Sequence, residues 1–141
     1  MASYWPLLAG VASPAQAEKM VKYLRDPQEF GGNYPTPTLS RRDRDYHDQT
    51  GDYWRGGIWL PTTYMTVKAL EEYGYHEEAD MIAEKIIRQQ LAAYHGIKPH
   101  TIWECYSPSA NEPSTEHGRR ARPEFCGWSA LGPISLFIEN V

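Results

Sequence analysis

The most regular pattern in this sequence lies in residues 79–94, where apolar side chains recur at helical spacing for about four turns. A second apolar stripe occupies residues 61–73 and stops before Gly74. Only a turn-length connection around Gly74 separates the two stripes, and so short a link lets the second helix pack back against the first. The sequence therefore predicts an antiparallel helical hairpin as the central element of the fold.

Two further helices are predicted, one on each side of this hairpin. Ser13 is suited to cap a helix whose first residue is Pro14. The Asp26-Pro27 pair ends that helix. The last helix is predicted over residues 128–139, with a kink or a late start because Pro133 lies inside it. No segment shows the alternation typical of a strand, so the predicted fold class is all-α.

The predicted helices are joined by two long segments without periodicity, residues 30–57 and 107–124. The chain holds 11 glycines and 11 prolines, a composition that suits long structured loops. Such loops in a compact domain are usually functional. The helix predicted at residues 61–73 is apolar on more than one face, which indicates packing against further hairpins. Residues 1–141 are therefore interpreted as a single domain that is part of a larger helical fold, with an apolar patch where neighbouring hairpins are missing.

Three short stretches beside these loops are rich in aromatic residues. They span residues 51–59, 101–108 and 125–128 and contain four of the five tryptophans. The middle stretch also holds an isolated acid, Glu104. Sugar C–H faces pack on flat rings, while sugar hydroxyls need polar partners. An acid among aromatic residues therefore indicates a carbohydrate site.

Charge and hydropathy argue against several other classes of partner. The formal net charge is -4 and no basic stripe occurs, so nucleic acid is not expected as a partner. No apolar run approaches the roughly 20 residues of a membrane span. The start of the chain, residues 1–8, has no basic region before an apolar stretch. A secretory signal peptide is therefore not expected, which favours the cytoplasm.

Cysteines and histidines give no sign of a cofactor. Cys105 and Cys126 could pair, but two cysteines do not make a disulfide framework, and reduced side chains are predicted. The cysteine count leaves the compartment open. No pair among the 5 histidines has the spacing that places two imidazoles on one helix face. Neither a metal nor another cofactor is expected.

Several motifs follow one another in a characteristic order. They are Pro6-Leu7, Tyr53-Trp54-Arg55-Gly56-x-Ile58-Trp59, the helical hairpin, Trp103-Glu104-x-Tyr106-Ser107-Pro108 and Gly127-Trp128-Ser129-Ala130-Leu131. This order resembles the C-terminal part of clan-G glycoside hydrolases. Those are the (α/α)6-toroid enzymes of family 63 and the mannosylglycerate-hydrolase-like group, with trehalases more distant. The resemblance covers nearly the whole chain and implies helical hairpins that form part of an (α/α)6 toroid.

The resemblance also implies a mechanism. The family inverts the anomeric configuration, with an upstream aspartic acid as general acid and a late glutamate as general base. The matching base position here is Glu104, and the acid motif has no counterpart in this chain. The chain is then a C-terminal fragment of an inverting α-glycoside hydrolase, with little activity alone. It would bind an oligosaccharide or glycoside and associate with itself or with the missing N-terminal part.

The substrate-binding residues implied by the resemblance lie in the aromatic stretches: Tyr53, Trp54, Arg55, Trp59, Tyr106 and Trp128. For Trp59, a structural place beside the helix core is favoured. For Trp54 and Arg55 a structural role, with Arg55 stacked on tryptophan to brace the loops, remains an equal alternative. Glu104 is expected to face an open cleft, partly exposed and free of a bidentate ion pair, with Tyr106 orienting its carboxylate or a water. Asp52 is an alternative general acid, although a loop cap or an acceptor for a sugar hydroxyl is the favoured interpretation.

Two other functions remain open from the sequence. The aromatic stretches could serve a carbohydrate-binding module that performs no catalysis. The chain could also be a purely structural helical domain that closes an assembly. Sugar binding without turnover would favour the module, and neither binding nor turnover would favour the structural domain.

Overall fold

The computed structural model of the protein describes residues 4–141, and the chain is mostly helical. Residues 1–3, the start of the stretch on which the signal-peptide expectation rests, lie outside the described residues. The helices are α1 (Trp5–Leu8), α2 (Pro14–Arg25), α3 (Leu60–Glu72), α4 (His76–Gly96) and α5 (Phe137–Asn140). Long loops connect them, so the all-α prediction of helical hairpins with long loops is confirmed. No helix within residues 4–141 combines the length and the apolar character that crossing a membrane requires.

Helix α2 begins at the predicted residue. The Ser13 hydroxyl accepts from the Gln16 backbone N–H while the Gln16 side chain accepts from the Ser13 N–H, which completes a capping box. Pro14 occupies the first helical position, and Asp26 follows the last turn. The apolar stripe of α2 is buried in the core through Ala17, Val21 and Leu24.

Helices α3 and α4 form the predicted antiparallel hairpin. Gly74 in the connection has a φ of 78°, a left-handed conformation that costs glycine little, and the Tyr75 N–H then bonds back to the Leu70 carbonyl at 2.9 Å. The facing sides of the two helices are fully buried and include Val67, Leu70, Ile82 and Ile86. This hairpin is the rigid support on which the loops of the site lie.

The long loops are ordered because α4 and buried polar groups hold them. Gln89 of α4 donates through Nε2 to the carbonyls of Ser107 (2.6 Å) and Ala110 (2.8 Å), which fixes the chain from Ser107 to Ala110. Arg41 donates to the carbonyls of Glu29 (3.0 Å) and Tyr34 (2.7 Å) and so closes the first loop on itself. Irregular backbone inside a domain needs such partners for its polar groups.

The C-terminal segment is helical but not one regular helix. A 3-10 turn (Trp128–Leu131) and a π turn (Gly132–Leu136) precede α5. Pro133 cannot donate within a helix, which accounts for the predicted irregularity. Gly132 lies directly against the Gln90 side chain of α4, where a Cβ atom would collide. Close packing on α4 therefore sets the path of this segment.

A short β-hairpin was not predicted from the sequence. Strands β1 (Thr115–Glu116) and β2 (Arg119–Arg120) pair antiparallel, and each has only two residues. The connecting residues His117 and Gly118 have φ values of 51° and 75°, as a tight hairpin turn requires. Strands of two residues are too short to show an alternating pattern, so periodicity cannot reveal them.

An ion pair between α2 and α4 makes stability depend on pH. Arg25 Nε donates to Glu78 Oε1 at 2.9 Å, and this bond holds the pKa of Glu78 below its ordinary value of 4.5. A carboxyl group with a lowered folded pKa contributes stability above its unfolded pKa and loses it as the pH falls through the folded pKa. We expect Glu78→Gln to lower the melting temperature at neutral pH by about 1–4 °C and to weaken the loss of stability below about pH 4.5.

The matched control is Glu77→Gln, measured by circular dichroism at several pH values. Glu77 and Glu78 both lie in the first turn of α4, so the two variants remove the same interaction with the helix dipole. Equal pH profiles for the two variants would mean that the Arg25 contact contributes nothing.

Candidate active site

Glu104 lies in an irregular segment whose backbone bonds to two other parts of the chain. Its N–H donates to the Arg122 carbonyl at 2.9 Å, and its carbonyl accepts from Ser129 Oγ at 2.8 Å. The backbone of Glu104 is therefore fixed from both sides. Only the side chain is left to respond to a ligand.

The Glu104 carboxylate is buried, with 3% of the residue exposed, so the predicted partial exposure is wrong. Oε1 accepts from the Tyr53 hydroxyl at 3.3 Å. Oε2 has no hydrogen bond within residues 4–141, but it forms an ion pair with Arg122 Nε at 3.8 Å. This ion pair is a single contact and not a bidentate one. A buried carboxylate oxygen without a hydrogen bond is costly, which makes Oε2 an acceptor in need of a proton donor.

Beside this carboxylate, aromatic residues of the first and third predicted stretches form one cluster, whereas Trp103 and Tyr106 of the middle stretch are buried in the main core. Trp59 is fully buried, and the Trp54 ring stacks on it at 4.1 Å with an angle of 3° between the planes. Trp128 meets Trp59 edge-on at 5.8 Å. Trp54 and Trp128 are about half exposed, at 49% and 48%. The cluster therefore has a buried centre and two accessible aromatic surfaces.

Tyr53 connects the cluster to Glu104. Its ring packs edge-on against Trp59 at 4.7 Å, and its hydroxyl reaches Glu104. Burial and the charge of Glu104 raise the pKa of Tyr53 above its ordinary value of 10.0. The Tyr53 hydroxyl is therefore protonated at neutral pH and acts as the donor in this bond.

The sequence profile of the mannosylglycerate hydrolase MGH1-like glycoside hydrolase domain matches residues 1–127. This chain belongs to that glycoside hydrolase family. The resemblance predicted from the motifs is thereby confirmed.

Relatives of this glycoside hydrolase domain include named enzymes. Mannosyl-oligosaccharide glucosidase of Saccharomyces cerevisiae is 32% identical over 81% of this chain and 14% of its own length. Mannosylglycerate hydrolase MGH1 of Selaginella moellendorffii is 32% identical over 76% of this chain and 20% of its own length. The chain thus spans less than a third of the length of these relatives.

The fold of the domain matches a solved structure over nearly all of its length. The GH63 mannosylglycerate hydrolase of Thermus thermophilus, in complex with Tris, aligns with a TM-score of 0.72 and 20% identity. The alignment covers 96% of this chain and 28% of that enzyme. The prediction of an all-α fold that corresponds to part of a family 63 toroid is confirmed.

Tyr106 does not lie where the sequence predicted it in this glycoside hydrolase domain. It is 1% exposed, and its hydroxyl accepts from the Trp103 N–H at 3.2 Å. The expectation that Tyr106 orients the Glu104 carboxylate is therefore wrong, because Tyr53 makes that contact. Trp59 is also fully buried, as the favoured structural interpretation expected, and it supports Trp54 from below.

Arg55 and Asp52 bond to the loops of the site. Arg55 Nη1 lies 3.2 Å from Asp52 Oδ2, and Arg55 Nε donates to the Asp45 carbonyl at 3.1 Å. Asp52 Oδ1 accepts from the His117 N–H at 3.0 Å. Asp52 thus ties the first loop to the β-hairpin, which agrees with the loop cap, one of the two favoured interpretations.

Both cysteines are free, as predicted. Cys105 is buried and Cys126 is exposed. Burial raises the pKa of the Cys105 thiol to about 12, so this thiol is protonated and unreactive near neutral pH. Within residues 4–141 no group of three or more His, Cys, Asp or Glu side chains is arranged to hold a metal ion.

Sequence reasoning missed two residues that shape the site, Arg122 and Ser129. Arg122 lies in a loop without periodicity, and its side chain approaches Glu104 only because the loop folds back. Ser129 belongs to the Gly127-Trp128-Ser129 motif, but its bond to the Glu104 carbonyl spans 25 positions of sequence. Neither contact leaves a signal in local sequence.

Proposed function

We propose that this glycoside hydrolase chain supplies the general-base side of the active site of an inverting α-glycosidase, with Glu104 as the base. The observation that carries the proposal is the Glu104 carboxylate, which is buried beside the tryptophan cluster, with Oε2 free of hydrogen bonds among the described residues and in a long ion pair of 3.8 Å with Arg122. A general base must accept a proton from the attacking water, and Oε2 accepts no hydrogen bond from the described part of the chain.

The substrate in this proposal is an oligosaccharide or another glycoside. The half-exposed rings of Trp54 and Trp128 offer apolar faces for a pyranose ring. The exposed guanidinium of Arg55 offers donors for hydroxyl or carboxylate groups. The names of the two relatives, an oligosaccharide glucosidase and a mannosylglycerate hydrolase, are consistent with a glycoside as substrate.

The general acid comes from outside this chain in the proposed mechanism. Asp52, the alternative acid from the sequence, is bonded to Arg55 and to the His117 N–H. The chain also aligns with only 28% of the Thermus enzyme, which leaves most of a toroid to be supplied by other polypeptide. We use "complete hydrolase" for this chain together with the polypeptide that supplies the acid. The isolated chain would then hydrolyse glycosides poorly.

An apolar groove supports association with the remainder of such a domain. The groove measures about 490 Å³ and lies between α4 and the C-terminal segment, where the exposed side chains of Leu91, Tyr94 and Phe137 occur. An apolar patch of this kind was expected from the sequence. We propose that further hairpins of the toroid cover it in the complete hydrolase, and that copies of the isolated chain associate through it.

Product stereochemistry tests the proposed function. Proton NMR during hydrolysis of an aryl α-glycoside by the complete hydrolase should show the β-anomer of the free sugar appearing first. Inversion is expected because water attacks the anomeric carbon directly, without a covalent intermediate. First appearance of the α-anomer would contradict the proposal, and so would rapid hydrolysis by the isolated chain.

The low exposure of Glu104 favours a second candidate function, a carbohydrate-binding module without catalysis. At 3% exposure, the carboxylate must gain access to a water before it can act as a base. A module would bind sugars through Trp54 and Trp128 and would not need Glu104 to ionise. This candidate would be supported if the chain binds sugars but shows no turnover, even together with the polypeptide proposed to supply the acid.

A further inference from the structure

We infer that Tyr53 is a positioning residue, which holds the Glu104 carboxylate so that Oε1 is occupied and Oε2 is left for the attacking water. This inference rests on the proposed role of Glu104 as the base. In this role Tyr53 affects the reaction through Glu104. The family resemblance had implied a different role, direct binding of the sugar.

The backbone at Tyr53 adopts a conformation that side chains other than glycine rarely take. Tyr53 has a φ of 65° and the preceding Asp52 a φ of 24°. Two consecutive non-glycine residues at positive φ are uncommon, and such conformations persist only where the surroundings enforce them. The result here is that the Tyr53 ring turns inward and its hydroxyl meets Glu104, 51 positions along the chain.

The surroundings do enforce this turn from several directions. The Tyr53 carbonyl accepts from the Gly57 N–H at 3.1 Å and from Trp59 Nε1 at 3.3 Å. Gly57 also bonds to the Gly51 carbonyl at 3.0 Å, and a Cβ atom at either glycine would collide with the backbone of the turn. The Asp52 carboxylate fixes the other side of the turn through the His117 N–H. These contacts hold the backbone of Tyr53, and the edge-on packing of its ring on Trp59 directs the hydroxyl.

A fixed donor on Oε1 has two consequences for a general base. It restricts rotation of the carboxylate, so that Oε2 keeps one direction during the reaction. It also partly satisfies a charge that is otherwise buried, which an apolar side chain could not do. The raised pKa of Tyr53 agrees with this geometry, because the hydroxyl stays a donor while Glu104 is charged.

A double-mutant cycle in the complete hydrolase tests the inference. Tyr53→Phe removes the hydroxyl and keeps the ring packed on Trp59. We expect kcat to fall by about tenfold to a hundredfold, the usual effect of a hydrogen bond to a charged group, while KM changes less than about twofold. In the Glu104→Gln background the same change should lower the residual kcat by less than about twofold, since the carboxylate that the Tyr53 hydroxyl positions is absent.

Tyr46→Phe is the control for loss of a tyrosine hydroxyl in the same loop. The Tyr46 ring packs against Gly56, and its buried hydroxyl has no hydrogen bond within the described part of the chain. This variant should keep the kcat of the parent. All assays are run well below the melting temperature of each variant, so that a loss of folded protein does not enter kcat.

The outcomes distinguish a positioning role of Tyr53 from a direct contact with the substrate. A raised KM with unchanged kcat would identify Tyr53 as a substrate contact and overturn the inference. Equal losses of kcat in the parent and in the Glu104→Gln background, or no loss at all, would overturn it as well. Full turnover by Glu104→Gln alone would instead refute the proposed base, and a positioning role with it. The proposed function can therefore survive the failure of this inference.

Discussion

Replacing Glu104 by glutamine in the complete hydrolase is expected to lower kcat by about 10²–10⁴-fold, the range that general acid–base catalysis contributes. The amide keeps the shape of the side chain but cannot take a proton from water. The Tyr53 hydroxyl can still donate to the amide oxygen, so the loops around the site should keep their arrangement. Sugar affinity, measured by calorimetry, is therefore expected to change little.

The matched control for this substitution is Glu124→Gln. Glu124 is exposed in the loop that follows Arg122, and its side chain has no role in the proposed site. The control removes the same charge from the same region and should retain the parent kcat. A Glu104→Gln enzyme with near-normal kcat would refute the assignment of the base, whatever its sugar affinity.

Replacing Trp59 by alanine is expected to lower the free energy of unfolding by about 3–5 kcal/mol, the usual cost of removing a fully buried tryptophan. Trp59 is 0% exposed and contacts the rings of Trp54, Tyr53 and Trp128. The substitution would therefore leave a cavity next to the two half-exposed tryptophans, Trp54 and Trp128. Chemical denaturation followed by tryptophan fluorescence measures the loss.

Trp54→Ala should behave differently because Trp54, which stacks on the buried Trp59, is itself half exposed. Its cost in stability is expected to be about half that of Trp59→Ala, since half of its area already contacts solvent. Sugar affinity should fall by about threefold to tenfold if the ring stacks on a pyranose. Trp5→Ala is the control, because Trp5 has the same 49% exposure but lies in α1. Equal sugar affinity in both variants would exclude Trp54 from the binding surface.

The elements that the sequence determined by itself are those encoded in neighbouring residues. The cap at Ser13 and the hairpin of α3 and α4 depend on side chains within one or two turns, so the linear order of residues contains their signal. The motifs around Trp54 and Glu104 likewise led to the correct glycoside hydrolase family. They also indicated which loops would meet.

The arrangement inside the site was decided only by the tertiary structure. Both Tyr53 and Tyr106 lie in site motifs, and nothing in the sequence distinguishes which hydroxyl reaches Glu104. The choice depends on a turn with positive φ at Asp52 and Tyr53, which these residues do not favour and which distant contacts impose. The burial of Glu104 has the same origin, because the loop at Arg122 closes over a residue 18 positions earlier in the chain. Local propensity specifies helices, whereas the direction of a side chain in a loop follows from the packing of segments far apart in sequence.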